Sequence, residues 1–205
     1  MAQPAIDLGR FDPDPDRSFN MPAAYYSDPD IFEREKQAIF FRSWRFVGHT
    51  TEIDRPGDYL TQDICGQNVF VLRGHDRQLR AFYNVCQHRA HELVSGRKGN
   101  LGAVVTCPYH AWAYGLDGAL RHARHCDAVA GFDKADFALE PVRVDVFCGF
   151  VFINLDPDAR PMAEVYPGFE ETLRAQSPDL DRMVWTEQVN FDIAANWKVI
   201  AENSL

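Results

Sequence analysis

The spacing of apolar residues changes along the chain, and the changes mark its elements. Residues 1–22 carry four prolines and no period, so they read as an extended arm. Ser27-Asp28-Pro29 offers a capping side chain and a first-turn proline. Behind it, Ile31, Phe32, Ala38, Ile39 and Phe40 fall roughly on one side of a helix reaching about Ser43. From Tyr59 the pattern turns β-rich. Runs at 68–73 and 79–85 flank a turn-like Gly74-His75-Asp76-Arg77, and 103–106 is a further short run. Residues 113–120 read as a hairpin around Asp117-Gly118. Residues 142–146 alternate strictly, and 150–155 reads as a buried strand. Asp156-Pro157-Asp158 and Arg160-Pro161 punctuate the end of this region. Beyond it, the pattern allows a helix near 169–175, and Asn196 is placed to cap another from Trp197. The expected fold is mainly β, with small antiparallel sheets. The expected divisions are an arm and helix over 1–44, a β domain over 45–157, and the start of a further α+β domain over 158–205.

Length and composition narrow the class. A chain of 205 residues with 46% hydrophobic residues can bury a real core. Five cysteines are too few for a disulfide scaffold, and an odd number cannot all pair internally. The first residues show neither a basic region nor a long apolar run, so no signal peptide is expected. The longest apolar-dominated stretch, residues 147–155, is far short of the roughly 20 residues of a membrane span. A cytoplasmic protein that binds neither membrane nor nucleic acid is expected. The net charge of -9 fits that, since nucleic acid calls for a basic face. One window departs from this balance. Residues 73–98 hold six Lys or Arg against Asp76 and Glu92, a local excess of positive charge able to steer an acidic partner.

The chemistry-bearing motif is Cys86-Gln87-His88 followed, after 18 residues, by Cys107-Pro108-Tyr109-His110. Two Cys and two His can hold a tetrahedral zinc. Zinc modules, however, commonly group a Cys pair and then a His pair. Here each loop offers one of each, as a two-metal centre needs if each loop gives a thiolate to one iron and an imidazole to the other.

With Trp112 close behind, this doubled motif resembles the Rieske family, whose [2Fe–2S] centre has two Cys on one iron and two His on the other. The resemblance assigns Cys86 and Cys107 to the first iron and His88 and His110 to the second. Two ferric ions, two sulfides and two thiolates sum to zero charge, so an electron enters more readily than with four thiolates. The family spans about -150 to +300 mV, against about -400 mV for plant-type ferredoxins. Respiratory members carry a disulfide at the positions of His91 and Tyr109, so the likeness is to the lower-potential oxygenase and ferredoxin branch.

Residues 195–205 further resemble the motif that opens the catalytic domain of Rieske non-haem iron oxygenase α subunits. Phe41-Arg42-Ser43-Trp44 and Val47-Gly48-His49 resemble the N-terminal part of the same subunits. Ala90 stands where glycine is frequent. The resemblance implies electrons from a ferredoxin or flavin-dependent reductase, a mononuclear non-haem Fe(II) in the intact enzyme, and a homotrimer. It implies either ring-hydroxylating or quaternary-ammonium substrates. On this reading the chain is an N-terminal portion of an α subunit that lacks the mononuclear iron ligands. A stand-alone ferredoxin and a zinc-stabilised binding module are the alternatives.

Other residues have plainer expectations. Tyr109 and Trp112 pack over the centre, unless the Tyr109 hydroxyl bonds a cluster sulfur. His91 is a loop residue. His122, His125 and Cys126 form a loose group lacking a fourth ligand. Cys65 and Cys148 are expected to be buried thiols. Gly96, Gly99 and Gly102 lack the spacing of a dinucleotide loop. Glu202 and Asn203 end a frayed helix.

Overall fold

The computed structural model describes residues 9, 10, 12–14, 16–126 and 129–204. Much of the expected N-terminal arm, and Leu205, lie outside the described residues. The chain divides into two compact units: residues 39–186, and the two chain ends up to 38 and from 187.

Among the described residues of the larger unit, ten strands form two antiparallel sheets. They are β1 (Arg45–His49), β2 (Asp58–Ile64), β3 (Gln67–Arg73), β4 (Leu79–Tyr83), β5 (Lys98–Asn100), β6 (Val104–Thr106), β7 (Ala113–Gly115), β8 (Leu120–His122), β9 (Pro141–Phe147) and β10 (Phe150–Asn154). Seven join in the order β1-β10-β9-β4-β3-β2-β5, and β6-β7-β8 form the second sheet. The run Val69-Phe70-Val71-Leu72 is apolar at every position because β3 is buried on both faces. Phe70 and Leu72 pack with Phe82, Trp112 and Tyr114 on one side. Val69 and Val71 pack with Leu60, Val151 and Ile153 on the other. The first of these two cores also holds Cys86 and Cys107.

Two hairpins repeat one local design. Gly74-His-Asp-Arg-Gln-Leu-Arg80 and Gly115-Leu-Asp-Gly-Ala-Leu-Arg121 share glycine, aspartate, leucine and arginine at equal spacing. In each, the aspartate accepts a backbone N–H two residues on, and the arginine four residues on pairs with that aspartate. A Cβ on Gly74 or Gly115 would press on the carboxylate of Asp76 or Asp117 and displace it. Cys65-Gly66 and Cys148-Gly149 are tight turns with positive φ at both residues. Cys148 is buried as expected, but Cys65 is partly exposed, because the hairpin tip lifts it out of the core. Gly99 belongs to β5, a short strand that its glycine-rich sequence conceals.

In the smaller unit, α1 (Ala24–Ser27) precedes α2 (Pro29–Glu35). The Asp28 side chain caps α2 by accepting from Asp30 N–H. The helix does not continue regularly to Ser43. It widens into a π-turn over Lys36–Phe40. The wider turn rotates later residues off the apolar face, and Ile39 is 37% exposed. α3 (Met162–Val165) and α4 (Phe169–Gln176) follow the sheets in the larger unit. α5 (Trp197–Asn203) lies in the smaller unit, capped by Asn196 as its sequence suggests. Its Lys198 Nζ meets Glu35 Oε1 at 2.6 Å, and its Trp197 Nε1 donates to Glu35 Oε2 at 2.8 Å. Glu202 is no loose end, since it accepts from the Tyr26 hydroxyl at 2.6 Å.

Candidate metal centre

Two loops bring the motif together. One leaves β4, and the other joins β6 to β7. Each closes on itself with the same two backbone bonds. Cys86 N–H donates to His91 O at 2.9 Å, and Ala90 N–H to Cys86 O at 2.9 Å. Cys107 N–H donates to Trp112 O at 2.8 Å, and Ala111 N–H to Cys107 O at 3.0 Å. Ala90 and Ala111 occupy the matching left-handed positions, φ 54° and 56°. This explains why a glycine is at home at position 90. Behind the first loop, buried Asn84 accepts from the N–H groups of Leu93 and Val94, at 3.0 Å each. It also donates to Val94 O at 2.7 Å.

The four donors split by depth. Cys86 and Cys107 are both 2% exposed, whereas His88 and His110 sit nearer solvent. The two imidazoles lie 4.8 Å apart between centroids, edge to face. His88 stacks flat on Trp112, at 4.7 Å and 7°. Phe132 and Phe137 meet the edges of that indole at 5.9 and 5.5 Å. Trp112 thus packs against the site as expected. Tyr109 is 57% exposed, and its ring lies against those of His110 and His91.

The hydroxyl that reaches sulfur belongs to Tyr114, 3.3 Å from Cys86 Sγ. Gln87 N–H donates to the same oxygen at 3.1 Å, which leaves the Tyr114 proton free to point at sulfur. Sequence reasoning left Tyr114 inside the hairpin. The signal was its period-two spacing from Trp112 along one strand face. Burial pushes the Tyr114 hydroxyl pKa upward, and the bond to Cys86 adds to this, so it stays a donor. Burial also raises the Cys86 thiol, with the Tyr114 hydroxyl and the backbone at His88 pulling the other way and the Cys107 thiol adding to the rise. Burial lowers the pKa of His88, as do nearby His110 and Arg89, so its imidazole is held neutral.

These features suit a metal centre of a particular kind. His88 Nδ1 is buried with no hydrogen-bond partner, as a nitrogen that binds metal would be. The thiols are free, and a buried thiolate calls for a counter-charge. Among the described residues, no three His, Cys, Asp or Glu side chains surround one point. A single tetrahedral ion needs such a set, whereas a [2Fe–2S] centre takes two protein ligands per iron and fills the rest with sulfide. The donor set therefore fits [2Fe–2S]. His125 and Cys126 line the same open cleft of about 610 Å3 as His88 and His110.

Comparison with known proteins agrees. The profile of the Rieske [2Fe-2S] domain matches residues 43–133. The carnitine monooxygenase oxygenase subunit of Acinetobacter baumannii is 43% identical over 189 residues, 92% of this chain and 51% of that protein. The glycine betaine monooxygenase oxygenase subunit of Pseudomonas aeruginosa is 35% identical, over 92% of this chain and 43% of that protein. The apo crystal structure of a quaternary ammonium Rieske monooxygenase superposes with a TM-score of 0.87 at 44% identity, over 91% of this chain and 54% of that one. A naphthalene 1,2-dioxygenase gives 0.67 at 34% identity, over 72% of this chain and 34% of that one. The chain spans about half the length of the curated relatives it matches. It carries a Rieske [2Fe–2S] domain, and its carnitine and glycine betaine homologues are oxygenase subunits of Rieske monooxygenases.

Proposed function

We propose that this chain is the electron-transfer portion of a Rieske oxygenase α subunit, with Cys86 and Cys107 on one iron and His88 and His110 on the other. The observation that carries this is the pair of matched loops, with thiols buried and imidazoles toward solvent. The bound centre supplies storage of one electron at a time. The protein supplies the rest. Burial keeps water off the thiolate side. The Trp112 ring fixes the plane of His88. The two imidazoles offer the short path in and out.

Residues 45–157 form the Rieske domain on this reading, and 158–205 open the catalytic domain. The intact enzyme adds a mononuclear non-haem Fe(II), forms a homotrimer and resides in the cytoplasm. A ferredoxin or flavin-dependent reductase feeds it. Relatives named for carnitine and glycine betaine support a quaternary ammonium substrate. The test is a visible spectrum, low-temperature EPR of the reduced protein, and assays of iron, sulfide and zinc. A brown protein with iron and sulfide in equal amounts is expected. A colourless protein holding zinc alone overturns the proposal.

Tyr114→Phe probes the sulfur bond. Each hydrogen bond to sulfur favours the more negative, reduced state. Losing one worth about 1 kcal/mol lowers the potential by about 40 mV, at about 59 mV per tenfold. A redox titration reads this; an unchanged potential means that the hydroxyl does not act on the cluster.

A further inference from the structure

The two matched loops are tied at their bases by different means. The second is the tip of a hairpin, since Thr106 and Ala113 on either side of it face each other in β6 and β7. The first has no such base. Its entry limb leaves β4 at Tyr83, and Glu92, Leu93 and Val94 on its return limb belong to no strand. One side chain fills the gap. Asn84 is 2% exposed, and its Oδ1 accepts the N–H groups of both Leu93 and Val94. Its Nδ2 donates to Val94 O, and the second hydrogen of that group faces Asn68 Oδ1 and Glu92 Oε1, each at 3.3 Å.

Two N–H groups call for an oxygen, and the carbonyl calls for a donor, so a side-chain amide meets all three demands at once. Its exchange with Val94 copies the paired N–H and C=O bonds of an antiparallel ladder. The backbone of Asn84 belongs to the sheet as well. Its N–H donates to Asn68 O at 2.9 Å, which continues the pairing of β3 with β4. One residue thus ties the return limb to the sheet, two positions before Cys86 and four before His88. Leu93 and Val94 are buried, so solvent does not serve their N–H groups in its place.

Resting on the ligand assignment proposed above, we propose that Asn84 is a positioning residue of the metal centre. Its side chain stands in for the strand pair that the first loop lacks, and so fixes Cys86 and His88 against the second loop. Among the described residues, its side-chain hydrogen bonds reach none of the four ligands. It acts through the backbone of the loop that carries two of them.

The test compares Asn84→Ala with Asn154→Ala in the cluster-loaded protein. Asn154 is also 2% exposed and also ties two segments, donating to Arg42 O and accepting from Asp156 N–H, but it belongs to neither loop. Both variants should melt at a lower temperature than the wild type. Only Asn84→Ala should release iron to a chelator faster, by about tenfold, the scale on which groups behind a metal ligand act. Complete loss of iron in that variant alone is the extreme of the same result. Pulsed EPR of the reduced protein resolves the two imidazole nitrogens. Asn84→Ala should move the coupling of one and leave the other. Equal iron release in the two variants, or unchanged couplings in Asn84→Ala, overturns the proposal. So does an equal shift of both couplings, which marks a general disturbance of the centre. If Asn84→Ala does not fold, hydrogen exchange in the wild-type holoprotein decides. The Leu93 and Val94 N–H groups should exchange about a hundredfold more slowly than an open chain, and exchange at the open-chain rate overturns the proposal. Absence of the EPR signal in the wild type marks failure of the cluster reading itself, and of this proposal with it.

Discussion

Cys107→Ser yields a protein without the visible bands of the cluster, whereas Cys65→Ser keeps them. A serine hydroxyl does not ionise as a thiol does, so one iron is left with a single protein thiolate. Position 107 also lies within the apolar core that includes Val105, Trp112 and Tyr114. A hydroxyl there, without metal, costs about 1–3 kcal/mol of stability. Absorbance and iron per chain measure the outcome: near-complete loss in Cys107→Ser and full retention in Cys65→Ser. Cys126→Ser is the sharper comparison. Cys126 lies in the same cleft as the imidazoles but belongs to neither loop. Loss of iron on changing Cys126 would show that the ligand set is wrong.

The second large effect lies away from the metal centre. Lys198→Ala releases α5 from the rest of its unit. The Lys198 and Glu35 side chains are only 7% and 11% exposed, so the pair is nearly dry. Removing one partner leaves a buried charge and costs about 3–5 kcal/mol. A helix as short as α5 cannot hold itself together in water. Hydrogen exchange should therefore show loss of protection over residues 197–203, with β3 and β4 unaffected. The double variant Glu35→Leu, Lys198→Met removes both charges and should recover much of the loss. Equal protection in Lys198→Ala and the wild type would show that the pair contributes nothing to holding α5.

What the sequence reveals about this molecule depends on how local each feature is. The hairpin at Asp117-Gly118, the cap at Asn196 and the strand at Val142 are written in neighbouring residues, and they appear where expected. The π-turn at Lys36 is not legible, because apolar spacing cannot distinguish a helix that widens from one that continues. β5 is hidden by Lys98-Gly99-Asn100, which takes its extended form from pairing with Tyr59 rather than from its own preference. The doubled Cys and His motif of the candidate centre is visible in the sequence, and the resemblance to the Rieske family implies its roles. The Tyr114 contact is not visible there, because it joins a strand of one sheet to a loop leaving the other.

The matched loops have a consequence for the topology of the chain. One hangs from the seven-stranded sheet and the other from the three-stranded sheet. Held by the proposed ligands, the metal centre is a covalent clasp between the sheets, doing the work of a disulfide in a chain whose five cysteines form none. It closes the segment between Cys86 and Cys107, and closure of a loop of about 20 residues withdraws about 3 kcal/mol of entropy from the unfolded chain. The redox centre is then also the rivet that fixes one sheet to the other.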